Sequence, residues 1–219
     1  MMNHGVLRPH DLVCLPDAWW AAGSATDWPA WLTQQVTQGG YAPFAVVRRA
    51  LPRAGYVPIG IRGQNRAQRF ATYVPQALVS EVKTARSVAA KGLWQGLTGS
   101  VRHRLLHDTL AQLVPDLTPF HWGIGGSVGF ELLTQQPVIH AQSDLDIVIE
   151  AAQPFSPSLG QALITRCAEM KLVVDVQVQN ELGAFHLEEY VRHPDRPILL
   201  KTAYGATLSD GLWPGMIGR

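Results

Sequence analysis

Two aspartates separated by a single residue are the feature of this chain best suited to chemistry. Asp144 and Asp146 lie in the run from Ser143 to Ile149, where apolar residues alternate with the acids. Because side chains alternate across a strand, both carboxylates are predicted to share one face. Adjacent carboxylates repel and stay ionised only beside positive charge. Mg²⁺, which prefers carboxylate and phosphate oxygens, would supply that charge, although a bare Asp-x-Asp is also typical of surface strands and turns.

A third carboxylate interrupts another run of β-branched residues. Asp175 lies in the segment 171–178, whose apolar face is predicted to consist of Leu172, Val174, Val176 and Val178. A charge inside such a strand is unfavourable unless it has a purpose. If the two strands are neighbours, Asp175 lies beside Asp144 and Asp146, and three carboxylates can hold two metal ions for in-line phosphoryl transfer. The alternative is an exposed acid on an edge strand.

A glycine-rich turn precedes the aspartate pair. Gly125, Gly126 and Ser127 follow a short predicted strand and precede a predicted helix. Glycines allow backbone N–H groups to approach a phosphate closely, and a helix N-terminus favours anions. Ser127 could donate a hydrogen bond to the same phosphate or serve as the helix N-cap. The spacing fits neither the dinucleotide-binding fingerprint nor the Walker A loop, which requires a lysine.

Alternating strands and helices are predicted to position these residues. Strands are expected at 121–124, 145–149 and 171–179, and helices at 128–134 and 156–170. A longer helix is expected to be capped by Ser100 and ended by Pro115. On that helix His103 and His107, four residues apart, are expected on a solvated face rather than at a metal. The pattern predicts an α/β (α+β) fold with a mixed sheet and flanking helices.

The first 80 residues are predicted to form a separate small β-rich module. Strands are expected at 12–15, 44–48 and 56–61, the last at a sheet edge because of Pro58, and a short helix at 28–38. The domain prediction is therefore a basic N-terminal module over 1–80 and a catalytic α/β domain over 82–219.

Charge and composition exclude several classes of protein. The net charge of the 219 residues is +1, which argues against a general nucleic-acid binder. No apolar run reaches the roughly 20 residues of a membrane span, and the N-terminus has no signal pattern, so a cytoplasmic enzyme is expected. Between residues 28 and 80 there is no acidic residue but six arginines: Arg48, Arg49, Arg53, Arg62, Arg66 and Arg69. Such a stretch attracts phosphate or an acidic protein, or is simply a solvated basic surface.

The order of these motifs resembles the nucleotidyltransferase superfamily. The long gap between Ser127 and Asp144, and the run from Trp122 to Ile147, are similar to one branch, the malonate decarboxylase holo-acyl-carrier-protein synthases, which are phosphoribosyl-dephospho-CoA transferases. Further similarities lie at residues 10–13, 59–71 and 199–202.

The resemblance implies a specific reaction. The donor would be 2′-(5″-triphosphoribosyl)-3′-dephospho-CoA, the acceptor a serine of the acyl carrier protein subunit of malonate decarboxylase, and pyrophosphate the leaving group. Asp144 and Asp146 would be the catalytic, Mg²⁺-binding carboxylates, with Asp175 as a third metal ligand. The candidate phosphate-binding residues are Gly125, Gly126, Ser127, Arg62, Arg69 and Lys201, the last three as cations for the triphosphate.

Two other functions remain open at this stage. One is a different nucleotidyltransferase activity, such as adenylylation of a protein or small molecule. The other is a non-catalytic carrier-binding protein with the same fold, against which the three aspartates argue because a binding module does not need clustered carboxylates.

Overall fold

The chain forms two compact units, Met1–Thr84 and Ala85–Arg219. A computed structural model describes residues 7–23, 28–39, 44–63, 67–193 and 196–215, so Arg66 of the basic stretch lies outside the described residues. The unit boundary falls later than residues 80–82 because a strand at Glu81–Lys83 pairs with the first strand of the chain. Within the described ranges, no helix combines the length and apolarity needed to cross a bilayer.

The first unit is an antiparallel five-stranded sheet with two helices. The strands are β1 (Leu12–Cys14), β2 (Phe44–Val47), β3 (Tyr56–Arg62), β4 (Arg69–Pro75) and β5 (Glu81–Lys83), in the order β4-β3-β2-β1-β5. The helices are α1 (Asp17–Gly23) and α2 (Ala30–Thr37), followed by a 3₁₀ turn at Gln76–Leu78. Trp20, Leu32 and Ile59 are fully buried in its core. Large apolar side chains from both helices and the sheet thus make this unit's own hydrophobic core.

The prediction that Pro58 marks an edge strand is wrong. β3 lies between β4 and β2, and the edge strands are β4 and β5, which the sequence pattern did not indicate. β2 ends at Val47, which lies opposite Ile59, so the regular pairing of β2 with β3 does not extend to Pro58. A proline is therefore tolerated at this position. The Pro58 carbonyl still accepts a hydrogen bond from the Arg48 N–H at 3.0 Å. The missing proline N–H therefore interrupts the ladder only where it already ends.

The second unit is a six-stranded mixed sheet with five helices, in agreement with the predicted fold class. Its strands are β6 (His121–Ile124), β7 (Leu145–Glu150), β8 (Val174–Gln179), β9 (Ala184–His186), β10 (Ile198–Lys201) and β11 (Ala206–Ser209). The spatial order is β11-β10-β9-β8-β7-β6, and among the strands that the structure describes here only β7 and β8 run parallel. The helices are α3 (Ala85–Ala90), α4 (Val101–Leu117), α5 (Gly126–Thr134), α6 (Pro157–Ala168) and α7 (Leu187–Arg192), with a 3₁₀ turn at Leu93–Gly96.

One face of this sheet packs into the core, and the other carries the half-buried residues of β7 and β8. The alternating apolar residues of β7 and β8 are buried together with the apolar stripe of α4; they include Leu145, Ile147, Ile149, Val176, Val178, Leu106, Leu110, Leu113 and Leu117. Burial of this face fixes the register, because a slip of one residue would move every apolar side chain into water. The alternate residues of the two strands therefore project from the opposite face.

The end of α4 differs from the prediction. Ser100 caps the helix as expected, but Pro115 lies inside it, and the helix continues to Leu117. A proline removes one backbone donor, yet Leu113 and Leu117 are fully buried on the core face of this last turn. The Thr118 N–H also donates to the Val114 carbonyl at 3.0 Å. Core packing and this bond outweigh the missing hydrogen bond.

Candidate active site

Asp146 and Asp175 lie side by side in the second sheet. The parallel strands β7 and β8 pair them as register partners, so both carboxylates project from the same face. β8 lies between β7 and β9, and the alternative of an edge-strand acid for Asp175 is therefore wrong. Both residues are half-buried, whereas Asp144, which immediately precedes β7, is exposed. The sheet thus brings together two of the three predicted carboxylates directly and places the third at the strand entrance.

The Gly-Gly turn lies against Asp146. The Gly125 N–H donates to the Asp146 backbone carbonyl at 2.9 Å. Gly126 has φ +57, in the left-handed region that favours glycine, and a Cβ on this residue would overlap the Asp146 carboxylate at Oδ2. Only a residue without a side chain allows this approach. The loop and β7 are therefore fitted to each other at Gly126.

Helix α5 begins at this same point. Gly125 occupies the N-cap, and α5 starts at Gly126, so the alternative of Ser127 as N-cap is wrong. The first N–H groups of a helix have no intrahelical acceptor and carry the positive end of the helix dipole. Because the turn contacts Asp146, these N–H groups and the carboxylate pair border the same region. A phosphate placed there could accept hydrogen bonds from the α5 N-terminus.

The segment that carries Asp144 is held by an arginine of α4. Arg102 donates from Nε to the Ser143 carbonyl at 2.8 Å, and its Nη2 contacts the same oxygen. Ser143 is 3% exposed, and its Oγ accepts a hydrogen bond from the His140 N–H at 3.0 Å. The charged guanidinium on a buried carbonyl is a strong contact. The residue just before Asp144 is therefore fixed from two sides.

Glu131 of α5 anchors the rest of this segment. Its carboxylate accepts hydrogen bonds from the Val138 and Ile139 N–H groups at 2.6 and 2.7 Å and contacts His103 Nε2 at 2.6 Å. Burial alone would raise the pKa of Glu131, but the Ile139, His103 and Val138 hydrogen bonds and the His103 charge together hold that pKa below its usual value. His103 also closes a capping box with Ser100, so its expected place on a solvated face is wrong.

A histidine bridges Asp175 to a lysine two strands away. His186, at the end of β9, lies 3.0 Å from Asp175 Oδ1 through Nδ1 and 2.7 Å from Lys201 Nζ through Nε2. Lys201 belongs to β10, the next strand in the sheet. The predicted cation Lys201 is thus linked to the predicted metal ligand Asp175. We call the sheet face that carries Asp146, Asp175, His186 and Lys201 the aspartate face.

Comparison with known families places the chain in a defined group of proteins. Residues 100–211 match the family model described as the phosphoribosyl-dephospho-CoA transferase MdcG C-terminal domain, and residues 8–85 match the model of the corresponding N-terminal domain. The chain belongs to the phosphoribosyl-dephospho-CoA transferase MdcG family. Its two compact units correspond closely to the two matched domains.

Similar proteins extend over nearly the whole chain. A phosphoribosyl-dephospho-CoA transferase of Klebsiella pneumoniae is 37% identical over 215 residues, covering 94% of this chain and 96% of that protein. Proteins of the same description from Pseudomonas putida and Azotobacter vinelandii are 32% and 30% identical, with at least 94% of each chain covered. No solved structure matches the chain significantly. The protein is therefore an enzyme of the transferase class, as the resemblance of its motifs implied.

The carboxylates of this MdcG-family site suit a magnesium ion that is shared with substrate. Mg²⁺ is commonly held by one or two carboxylates, with phosphate oxygens and water completing its octahedron. Asp146 and Asp175 provide such a pair, with Asp144 at the strand entrance. Within the described ranges, no group of three or more His, Cys, Asp or Glu side chains is arranged to hold a metal by itself. These carboxylates therefore fit an Mg²⁺ ion whose remaining coordination positions are filled by phosphate oxygens and water.

Arg62 and Arg69 lie in the first unit. They are cross-strand partners at the ends of β3 and β4, and both are exposed. A Cβ on Gly63, next to Arg62, would overlap Gln68, next to Arg69, so the two strands approach each other closely here. The two arginines thus form one basic position at one end of the β3–β4 strand pair. In this MdcG-family enzyme they belong to the N-terminal domain, whereas Lys201 belongs to the C-terminal domain.

Three residues around this site were not identified from the sequence. His186, Arg102 and Glu131 lie in different elements and contact the site residues or their neighbours only after folding. No short motif joins them, because each partner is 7 to 41 residues away along the chain. The sequence carried only weak signals for two of them. His186 ends a short apolar strand, and Glu131 lies within an otherwise largely apolar helix.

Proposed function

We propose that the enzyme transfers the phosphoribosyl-dephospho-CoA group of 2′-(5″-triphosphoribosyl)-3′-dephospho-CoA to a serine of the apo acyl carrier protein subunit of malonate decarboxylase. The observation that carries this proposal is the close fit of Gly126 to Asp146, which sets phosphate-binding N–H groups beside a pair of carboxylates. The family description supports the transferred group, and the resemblance of the motifs supports the acceptor.

The reaction is an in-line displacement at phosphorus. The serine oxygen attacks the α-phosphorus of the triphosphate, the bond from that phosphorus to the bridging oxygen of the β-phosphate breaks, and pyrophosphate leaves with the bonding electrons. The serine hydroxyl loses its proton as the new phosphodiester forms. Such reactions depend mainly on positioning and on stabilising charge that spreads over the phosphoryl oxygens. The site's residues therefore need to bind and orient more than to react.

The residues of the second unit divide this work. The backbone of Gly125, Gly126 and Ser127 at the α5 N-terminus would bind phosphate oxygens. Mg²⁺ held by Asp144, Asp146 and Asp175 would offset the negative charge of the triphosphate. Arg102 and Glu131 keep the Asp144 segment in place through the backbone contacts described above. Lys201 adds a cation on the aspartate face.

The acid-free stretch of the first unit is proposed to receive the carrier protein. Residues 28–80 contain no Asp or Glu, and the exposed pair Arg62 and Arg69 lies at one end of the β3–β4 strand pair. A carrier with acidic residues around its serine would be drawn to such a surface. Reversing both charges (Arg62→Glu with Arg69→Glu) should raise KM for the carrier at least tenfold at low salt and less at high salt. Arg104→Glu, an exposed arginine on α4, is the matched control; equal KM values for wild type and the double variant would contradict this docking role.

Donor preference tests the proposed reaction. Pyrophosphate release is measured with Mg²⁺ and apo carrier while the donor is triphosphoribosyl-dephospho-CoA, ATP or CTP. The proposal expects release with triphosphoribosyl-dephospho-CoA that requires the carrier. Release with ATP or CTP instead would indicate an adenylylating or cytidylylating enzyme and would overturn the substrate assignment.

A further inference from the structure

The contact of His186 with both Asp175 and Lys201 spans three strands. β9 lies between β8 and β10, and neighbouring strands are about 4.8 Å apart, so β8 and β10 are separated by roughly twice that distance. Gln177 lies opposite His186, and Lys201 lies opposite Ala184. His186 therefore reaches diagonally to one residue on each neighbouring strand. Its ring is the link that joins a carboxylate to an ammonium across the sheet.

The chemistry of lysine fixes how the histidine is used. An ammonium group has three donors and no acceptor, so His186 Nε2 accepts the hydrogen bond from Lys201. The ring proton is then on Nδ1 and is donated to Asp175 Oδ1. Both ring nitrogens are therefore engaged. Each contact orients the next, from carboxylate to ring to ammonium.

The backbone around this link is close-fitting. Gly183 has φ +154, and a Cβ there would lie 2.5 Å from the Lys201 carbonyl oxygen, so β9 and β10 approach each other as only glycine allows. Lys201 is half-buried. His186 occupies the N-cap position of α7, yet its ring nitrogens face Asp175 and Lys201 instead of the helix. A flexible lysine side chain is thereby given a restricted position.

We propose that His186 is a positioning residue that holds the Lys201 ammonium on the aspartate face, where Lys201 stabilises the negative charge of the departing pyrophosphate. Asp175 anchors this relay through Oδ1. The inference rests on the proposed transfer reaction. A preorganised cation stabilises developing charge without the cost of reorganising at the moment of reaction. Lys201 is then the catalytic cation, and His186 acts only through it.

Three substitutions of one residue separate the two contacts. The amide of His186→Asn reaches about as far as Nδ1 and can keep the Asp175 contact alone. The amide of His186→Gln reaches about as far as Nε2 and can keep the Lys201 contact alone. His186→Ala removes both. His107→Asn is the matched control, since His107 also contacts an aspartate, Asp108, but on the exposed side of α4.

The kinetic result expected is a loss in kcat with little change in KM for the donor, because the contact strengthens in the transition state. Lys201→Ala should lower kcat by about 10²–10³. His186→Asn and His186→Ala should lower it by about 10–10², and His186→Gln, which keeps the Lys201 contact but loses the Asp175 anchor, should lower it less. Adding His186→Ala to Lys201→Ala should cause no further loss, since both act through one group.

Binding of inorganic pyrophosphate with Mg²⁺, measured by calorimetry, gives a second readout that needs neither donor nor carrier. Lys201→Ala, His186→Asn and His186→Ala should each raise its Kd several-fold. His186→Gln should raise it less, and His107→Asn should leave it unchanged. Three results would each overturn the relay. The first is a His186→Ala variant with the kcat and the pyrophosphate Kd of wild type. The others are a double variant in which the two losses in kcat multiply, and a wild type that binds no pyrophosphate. If wild type binds pyrophosphate and the variants weaken it, but the carrier is not modified, the relay stands and the proposed acceptor fails.

Discussion

Asp146 and Asp175 are register partners on the two parallel strands of the second sheet, β7 and β8, and their carboxylates share one face. Two acids at opposing positions destabilise a strand pair through like-charge repulsion. We therefore propose that this pair, beside a glycine turn and a helix N-terminus, is retained to bind a cation and a phosphate rather than for stability alone.

Replacing Asp146 with Asn should strongly weaken both the response to magnesium and the activity. We expect kcat to fall by about 10²–10³, because one charged group that acts on the transition state is lost. Mg²⁺ at tenfold its Kd should stabilise wild type by about 1.4 kcal/mol through mass action, and Asp146→Asn by much less. The change in Tm on adding Mg²⁺ measures this directly.

The control for this experiment is Asp108→Asn, which removes an exposed acid of α4. That variant should keep the wild-type rate and the wild-type response to Mg²⁺. If Asp146→Asn also keeps both, the carboxylate pair is not the metal site.

Gly126→Ala should damage the site through the backbone. A side chain at φ +57 costs about 1–2 kcal/mol, and this one would also displace the Asp146 carboxylate. We expect a comparable loss in the free energy of unfolding and at least a tenfold fall in kcat. Gly96→Ala is the comparison, because a Cβ there meets open space; it should leave the rate unchanged. Wild-type kinetics in Gly126→Ala would show that the turn tolerates movement.

Glu131→Gln should loosen the segment before Asp144 in a pH-dependent way. Hydrogen bonds to a charged group contribute about 1.5–3 kcal/mol, so the variant should lose about that much stability at neutral pH. The folded pKa of Glu131 lies below the usual 4.5. The stabilisation is therefore fully present above about pH 4.5 and is lost as pH falls through the folded pKa.

Urea denaturation of wild type and Glu131→Gln between pH 3 and 7 tests this, with Glu181→Gln as an exposed control. The difference in the free energy of unfolding between wild type and Glu131→Gln should become smaller towards pH 3. A difference that is constant with pH would mean that the charge of Glu131 does not contribute.

Cys167 should be inert in the folded protein. The thiol lies on α6 and is 7% exposed, and burial together with the nearby Asp116 charge raises its pKa to about 11. Since the thiolate is the reactive form, a thiol reagent at pH 8 should label only the half-buried Cys14 before denaturation and both cysteines after it. Relative to Cys167→Ser, wild type should lose stability as pH rises from about 9 towards 11. Rapid native labelling of Cys167 would contradict its burial.

Much of the second unit could be predicted because its strands bury one face. The alternation in β7 and β8 identified both strands and the face on which their aspartates lie. Ser100 and Ser156 marked two helix starts correctly, since each accepts a hydrogen bond from a backbone N–H of the first turn. Local patterns succeed where burial and capping act within a few residues.

The errors arose where tertiary contacts outweigh local preference. Pro58 lies in an inner strand because its neighbour β2 ends beside it, and Pro115 lies within α4 because Leu117 is buried. β9 and α7 are short and have no periodicity to reveal them. His186 could not be assigned a partner from sequence, since its link to Asp175 and Lys201 depends on the order of three strands.

The intact mass of the carrier tests the central claim most directly. The apo acyl carrier subunit of malonate decarboxylase is incubated with the enzyme, Mg²⁺ and triphosphoribosyl-dephospho-CoA, and its mass is read before and after. Wild type should add one phosphoribosyl-dephospho-CoA group, and Asp144→Ala or Asp146→Ala should leave the carrier unchanged. A carrier that stays unmodified with wild type would contradict the proposed reaction. Full modification of the carrier by the Asp146→Ala variant would contradict the assigned site.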